Sequence, residues 1–147
     1  ARAMNHALKV LEPHLAGERV ERGGRILIGT VRGDLHDIGK NMVATMLRGV
    51  GFEVRDLGIN VSSEQFVREV ESYQPQILGL SALLTTTMPE MARVIQALEA
   101  KGLRNLVKVM VGGAPVNQKF ARDIGADGYA QDAGEAVSLA KKILQGR

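Results

Sequence analysis

The chain places Gly33-Asp34-Leu35-His36-Asp37-Ile38-Gly39-Lys40 two residues beyond a short apolar run at residues 25–30. An amphipathic stretch begins at residue 38, so the pattern predicts a strand, a loop and a helix in succession. The carboxylate of Asp34 stands two residues before His36, where it can hydrogen-bond one ring nitrogen and leave the other free for a metal. The motif therefore predicts a β-α unit whose loop carries a metal ligand.

The rest of the chain repeats this alternation of β-branched runs and helical runs. Strands are predicted at 25–30, 53–58, 76–81, 107–112 and 127–130, and helices at 38–50, 63–73, 88–101, 117–124 and 134–145. Alternating units of this kind are typical of an α/β fold with both faces of a parallel sheet covered by helices. We therefore predict a doubly wound five-stranded parallel sheet with the flavodoxin-like order 2-1-3-4-5.

The helices have recognisable boundaries. The helix at 38–50 is expected to end at Gly51, the next to begin at Ser62 or Ser63, and the third to carry Pro89 in its opening turn. Spacing predicts that the first of these helices buries one apolar face made of Ile38, Met42, Val43, Met46, Leu47 and Val50.

Residues 2–15 form a separate amphipathic pattern, with apolar residues at three- and four-residue steps: Met4, Ala7, Leu8, Leu11 and Leu15. Two interpretations of this segment remain open. The segment is either the last helix of an upstream helical cap module followed by a charged linker, or an N-terminal helix packed on the main domain. The cap-module interpretation divides the chain into a cap helix with its linker, residues 1–24, and a main domain, residues 25–147.

Composition excludes several classes of protein. The length of 147 residues suits one domain, and aromatic residues at 3% with no Trp leave little for stacking on nucleic-acid bases. The 19 basic and 16 acidic residues form no run of five like charges, and no Cys is present for a disulfide or a thiolate site. Without an apolar run long enough for a membrane span or a signal-peptide pattern, the chain is predicted to be soluble and cytoplasmic.

Ligands of a doubly wound sheet bind beyond the carboxyl ends of its strands. The loops expected there are 31–37, 81–87, 112–116 and 131–133, and they contain His36 with two aspartates, Ser81 with three threonines, and Gly112-Gly113. Glycines at 112 and 113 permit close approach of backbone to a ligand. The other histidines, His6 and His14, are given no role.

Three of these elements together carry a resemblance. Asp34-x-His36-x-x-Gly39, then 41 residues, Ser81-x-Leu83, then 28 residues, and Gly112-Gly113 resemble the fingerprint of cobalamin-binding domains. The version here looks like that of methionine synthase and of the corrinoid proteins of methanol, methylamine and aryl-ether methyltransferase systems. The resemblance covers about residues 25–147.

The resemblance implies a role for each matching residue. His36 would be the lower axial ligand of cobalt, Asp34 would bond its other nitrogen, and Ser81 would extend that relay. The implied slot for the nucleotide tail of cobalamin, or of a related cobamide, is lined by Gly39, Leu83, Gly112 and Gly113. Leu35, Asp37 and Ile38 would lie beneath the ring, and the same sheet edge offers weaker candidates at Thr85, Thr86, Ala114, Pro115, Tyr129 and Ala130.

The implied function is methyl carriage, with cobalt cycling between cobalt(I) and methyl-cobalt(III). A methyl-donor methyltransferase and a methyl-acceptor methyltransferase acting on a folate or a thiol would be the partners, so the chain would be a non-autonomous component of a methyltransferase. Two alternatives are a subunit of an adenosylcobalamin mutase and a cobalamin-dependent sensor. A phosphorylatable receiver domain of the same topology would need an Asp where Ser81 ends the third strand.

Overall fold

The computed structural model describes residues 24–145. Five strands alternate with five α-helices: β1 Arg25–Thr30, α1 Ile38–Gly49, β2 Glu53–Asp56, α2 Ser63–Tyr73, β3 Ile77–Ser81, α3 Pro89–Ala100, β4 Lys108–Gly112, α4 Gln118–Ile124, β5 Gly128–Ala130 and α5 Ala133–Gln145. A short 3-10 helix, Arg104–Leu106, precedes β4. The helix predicted within residues 2–15, and with it the division at residue 24, lies outside the described residues.

All strands pair in parallel in the order β2-β1-β3-β4-β5, which confirms the predicted topology. The register places Leu27 beside Leu78 and Leu78 beside Val109, and all three side chains are fully buried. Because both faces of this sheet are covered by helices, its central strands consist of nearly continuous apolar runs. The carboxyl ends of the strands share one edge, where the predicted ligand loops emerge.

Two apolar layers flank the sheet. On one face α2, α3 and α4 pack against a cluster centred on Phe66 and Leu98, and on the other α1 and α5 pack against Ile26, Leu47 and Val137. Each helix contributes the side of its surface that faces the sheet, which is the arrangement expected of a three-layer α/β domain. The second layer contains fewer buried residues than the first.

Element boundaries follow local backbone chemistry. Ser62 is the N-cap of α2, since its hydroxyl accepts a hydrogen bond from the Gln65 amide at 3.1 Å. Strand β2 ends at Asp56, two residues earlier than predicted, because Gly58 has a φ of +91° and the Asp56 carboxylate accepts its amide hydrogen. The predicted strands and helices thus exist, with ends shifted by one or two residues.

The predicted apolar face of α1 is wrong in part. Leu47 is fully buried and Val43 packs against the core, but the side chains of Ile38, Met42 and Met46 are 81%, 55% and 41% exposed. The helix is turned so that Lys40, Ala44 and Leu47 face inward instead. An exposed apolar stripe therefore runs along α1 from the carboxyl edge of the sheet.

Between residues 24 and 145, no helix is both long enough and apolar enough to cross a lipid bilayer.

Candidate functional site

The loop between β1 and α1 is held in place by hydrogen bonds from neighbouring elements. The buried Thr30 hydroxyl donates to the His36 carbonyl oxygen at 3.0 Å. Gly33, with a φ of +85°, donates its amide hydrogen to the side-chain oxygen of Asn60 at 2.8 Å. The backbone amide of Asn60 in turn donates to the backbone carbonyl of Asp34 at 3.0 Å. The loop is therefore fixed at both ends before any ligand binds.

Asp34 is the centre of this loop. Its side chain is fully buried and accepts four hydrogen bonds: Oδ1 from the His36 amide at 3.1 Å and from His36 Nδ1 at 2.7 Å, and Oδ2 from the Leu83 amide and the Thr87 hydroxyl, each at 2.7 Å. Burial by itself raises the pKa of the carboxyl, but these hydrogen bonds outweigh it and lower the pKa of Asp34 from 3.8 to about 2. The group is an anion at neutral pH.

The ionised carboxylate of Asp34 determines which ring nitrogen of His36 carries the proton. An ionised carboxylate only accepts hydrogen bonds, so the Nδ1 atom at 2.7 Å must carry a proton. In the neutral imidazole this leaves a lone pair on Nε2, the form in which histidine binds a metal. The His36 side chain is 49% exposed, so the ring is accessible even though its partner is buried. The predicted pairing of Asp34 with His36 is present.

Ser81 does not extend this pair. Within residues 24–145 its hydroxyl makes no hydrogen bond to Asp34, and Thr87 contributes the hydroxyl that the resemblance assigned to Ser81. The reason lies in the path of the chain after β3, because the segment 82–87 folds back over the loop and buries Thr87 against the carboxylate. Ser81 instead lies in the wall of the cleft described next.

A cleft of about 560 Å³ opens beside His36 at the carboxyl edge of the sheet. It lies between α1 and α5 on the face that the second apolar layer covers. Its lining is mostly apolar and includes the predicted residues Leu35, His36, Asp37, Ile38, Gly39, Ser81, Leu83, Gly112, Gly113, Ala114 and Ala130. The structure thus brings together residues from all four predicted loops.

Small residues shape the deep part of the cleft. Gly79 lies on its floor, and Ala133 and Ala136 form the wall that α5 presents. At Gly113 the φ is +129°, and an added Cβ would lie 1.9 Å from the Ala82 carbonyl oxygen, so only glycine is tolerated there. The spacing of Ala133 and Ala136, three apart on one helix face, is a sequence signal for this wall that the prediction did not use.

Several predicted residues lie elsewhere. Thr85 and Thr86 are exposed in the turn before α3, and Pro115 is partly buried outside the cleft. Tyr129 packs into the apolar layer on the opposite face of the sheet, because successive residues of a strand alternate between faces and Ala130 takes the cleft side. For these four residues, contact with a ligand in this cleft is not supported.

Lys40 is a residue that the sequence did not single out. Its side chain is 2% exposed, and Nζ donates to the two Asp56 carboxylate oxygens at 2.8 and 2.7 Å and to Asn41 Oδ1 at 2.6 Å. The ion pair ties the first turn of α1 to the end of β2. Because that turn also carries Ile38 and Gly39, the pair fixes one wall of the cleft.

The described residues contain no group of three or more His, Asp or Glu side chains that could hold a metal ion between them. His36 is a single accessible nitrogen ligand beside an apolar cleft. A metal that arrives already held in a large organic ligand suits this arrangement, because it needs one axial donor from the protein and a slot for the rest of the molecule. The donor set and the small-residue slot both fit a corrinoid.

Comparison with known proteins also points to a corrinoid-binding domain. The B12 binding domain family matches residues 24–138. The dimethylamine corrinoid protein 1 of Methanosarcina mazei is 48% identical over 148 residues, which cover 100% of this chain and 68% of that protein.

Two solved structures share the fold. A cobalamin-binding protein from Desulfitobacterium hafniense DCB-2 is 43% identical with a TM-score of 0.81, over 83% of this chain and 60% of that one. The methanol:cobalamin methyltransferase complex MtaBC from Methanosarcina barkeri contains a chain that is 33% identical with a TM-score of 0.80, over 92% of this chain and 52% of that one. This chain therefore spans only part of these two relatives.

Proposed function

The chain belongs to the B12-binding domain family, and on that premise we propose that it is the corrinoid-carrying component of a methyltransferase system, with His36 as the lower axial ligand of cobalt. The family and the corrinoid proteins among its relatives establish the class of cofactor, cobalamin or a related cobamide. The role of each residue and the reaction served are proposals.

The observation that carries the proposal is the hydrogen bond between Asp34 Oδ1 and His36 Nδ1 at 2.7 Å beside the cleft. Because Asp34 is buried and anionic, it holds the proton on Nδ1 and keeps the lone pair on Nε2. A hydrogen bond to a carboxylate also makes an imidazole a stronger ligand. The pair therefore presents a metal-binding nitrogen whose orientation is set before the cofactor arrives.

The cleft is the proposed site of the nucleotide tail. Glycines 39, 79, 112 and 113 and alanines 133 and 136 leave the space between sheet and helices free of large side chains. Leu83 and Met110 add apolar contact surface that excludes water. Leu35, Asp37 and Ile38 would also contact the cofactor, since they line the cleft together with His36.

A bound corrinoid supplies a cobalt centre that can accept and give up a methyl group. The chain's own contribution is to bind this cofactor, to orient His36 and to hold the Nδ1 proton on the carboxylate side. Leu35, Ile38 and Met42 line the cleft and are exposed apolar residues. We propose that the chain presents its cofactor to separate proteins, a methyl-donor methyltransferase and an acceptor methyltransferase that uses a folate or a thiol.

Two findings on relatives support this assignment to a methyltransferase system. The Methanosarcina mazei relative is named a dimethylamine corrinoid protein, and the structure from Methanosarcina barkeri is that of a methyltransferase complex. The first name pairs a corrinoid protein with dimethylamine, and the second pairs cobalamin with a methyltransferase. We propose that this chain also serves a methyltransferase, and we assign no methyl donor.

The test is the absorption spectrum of the protein reconstituted with methylcobalamin. We expect wild type to bind one equivalent with the cofactor's own base displaced and His36 ligated, and His36→Ala to lose the histidine-ligated spectrum. The control is Gln118→Ala, an exposed change in α4 on the opposite side of the sheet, which should leave the spectrum unchanged. Retention of the histidine-ligated spectrum by His36→Ala would refute the assigned ligand.

A further inference from the structure

The strand register divides the floor of the cleft into two rows of residues. The outer row, at the carboxyl edge of the sheet, consists of Ser81, Gly112 and Ala130. The inner row lies two residues further into the sheet and consists of Ile28, Gly79 and Met110. Two residues of a strand span about 7 Å, so a flat ring system that passes the outer row comes to lie on the inner one.

The inner row offers a ligand almost no hydrogen bonds. Ile28 and Met110 are each 4% exposed, Gly79 has no side chain, and a thioether is only a weak acceptor. The backbone amides and carbonyls of this row pair with the neighbouring strands of the parallel sheet. The wall that α5 presents to the cleft consists of Ala133 and Ala136, which are apolar too.

The polar side chains of the cleft lie outside the inner row. Most of them belong to exposed or half-buried residues, and these are His36, Asp37, Gln131 and Asp132. Lys40 is buried, but its three ammonium protons are taken by Asp56 and Asn41. Among the described residues, the polar side chain next to the inner row is therefore the half-buried Ser81 hydroxyl, which follows Gly79 by two residues on the same face of β3.

We propose that this cleft discriminates among cobamides by their lower base, and that it favours a benzimidazole or a phenol-type base over adenine. This inference rests on the proposed function, since it takes the cleft as the site of the nucleotide tail. A benzimidazole joined to ribose keeps one unsubstituted ring nitrogen, which a single hydroxyl can satisfy, and a phenol-type base keeps none. Adenine keeps three ring nitrogens and an amino group.

The cost of adenine follows from the polar groups that would stay unpaired. Each one that enters the inner row gives up its hydrogen bonds to water, and the row has no donor or strong acceptor to replace them. A single buried polar group without a partner is enough to weaken binding by about tenfold. We therefore expect an adeninyl cobamide to bind at least about tenfold more weakly than a benzimidazolyl cobamide.

The measurement is equilibrium binding of three methyl-cobalt cobamides that differ in the lower base, which is p-cresol, benzimidazole or adenine. Because a nitrogenous base can itself bind the cobalt of the free cofactor, each dissociation constant is corrected by the fraction of free cofactor whose base is released, measured by acid titration. We expect similar corrected constants for the first two cobamides and a value at least about tenfold higher for the third. Equal or tighter binding of the adeninyl cobamide would overturn the inference.

Variants of the inner row test the cause of the discrimination. Met110→Gln adds an amide at nearly constant volume, and Met110→Leu is the matched apolar change. The ratio of adeninyl to benzimidazolyl dissociation constants should fall several-fold in Met110→Gln and stay near that of wild type in Met110→Leu. The properties of the free cofactors cancel in this comparison, because they are the same for every variant.

A second pair of variants covers the case in which Met110→Gln does not fold, as judged by circular dichroism. Gly79→Ser adds a hydroxyl to the inner row and Gly79→Ala adds only the methyl group, and a Cβ at this position makes ordinary contact with Ile28 at 3.4 Å. The same ratio should be lower in Gly79→Ser than in Gly79→Ala. A ratio that is the same in each polar variant as in its apolar control would contradict the inference.

A further readout needs no corrinoid. The methionine methyl groups of the cofactor-free protein are followed by carbon-13 NMR while benzimidazole or adenine is added. Benzimidazole should shift the Met110 resonance and adenine should shift it far less, whereas Met91, fully buried on the opposite face of the sheet, should not respond to either.

This titration separates the two proposals. If wild type bound none of the three cobamides, the proposed function would be refuted, and the Met110 resonance would still decide whether the inner row prefers an apolar base. Equal shifts of Met110 with both bases, or no shift with either, would overturn the inference whatever the cobamides do.

Discussion

Protonation of Asp34 should destabilise the protein, and the structure gives the size of the effect. The pKa of this carboxyl is lowered in the folded state from 3.8 to about 2, which corresponds to about 2 kcal/mol of preference for the ionised form. Because the folded pKa lies below the unfolded one, this contribution is present above the unfolded pKa and is lost as the pH falls toward the folded one. Roughly half of it should be gone at about pH 3.

Asp34→Asn mimics the neutral carboxyl at every pH. Its amide has one accepting oxygen, so it cannot accept from Leu83, Thr87 and both His36 donors together. We expect this variant to be about 2 kcal/mol less stable than wild type at about pH 6, with the difference shrinking as the pH falls. If its amide nitrogen faces His36, the ring proton must move to Nε2, the nitrogen proposed to bind cobalt.

The assay is urea unfolding of the cofactor-free protein, followed by circular dichroism at several pH values between about 2.5 and 6. The control is Asp123→Asn, since that carboxylate is 58% exposed and pairs with Lys119 across one helical turn. Its loss should change the free energy of unfolding by less than about 0.5 kcal/mol. If the free energy of unfolding fell equally with pH in wild type and in Asp34→Asn, Asp34 would not be a hydrogen-bonded anion in the folded protein.

The remaining predictions concern the walls of the cleft. Gly113→Ala should cost about 3 kcal/mol or more in urea unfolding, because its Cβ would meet the Ala82 carbonyl at a φ of +129°; a loss below about 1 kcal/mol would contradict this. Its matched control, Gly39→Ala, has nothing within 4 Å of the added methyl and should leave stability unchanged or raise it by up to about 1 kcal/mol. Lys40→Met and Asp56→Asn should each be destabilising, and a double-mutant cycle should give a coupling energy of about 2 kcal/mol, whereas additive effects would show that the ion pair is not formed.

Much of the fold could be predicted because the required information is local. Apolar runs separated by amphipathic ones predict strands and helices, and the handedness of parallel crossovers leaves few arrangements for five such units. The boundaries differed by only a residue or two, for reasons such as the positive φ of Gly58 that ends β2. The same local logic predicted the pair Asp34 and His36, since two residues of separation suffices for the side chain to reach the ring.

The differences between sequence and structure concern which way a side chain points or which distant group it meets. Spacing placed Ile38 and Met42 in the core, but the rotation of α1 depends on what packs beneath it, and Lys40 takes the inward position with Asp56 as its partner. The sequence makes Tyr129 a ligand candidate because it lies at the same sheet edge as the ligand loops, whereas in the structure its strand neighbour Ala130 faces the cleft.

Three features follow from the order of residues along the chain: the alternation of strands and helices, the loop that carries His36, and the glycines that leave room for a ligand. Each depends on residues within a few positions of one another. The choice of Thr87 rather than Ser81 as the hydroxyl donor to Asp34 is visible only in the folded molecule. That choice depends on how the segment after β3 folds back over the loop after β1, a contact between residues 53 positions apart. Periodicity reports the local backbone, whereas such a contact exists only after the sheet has assembled.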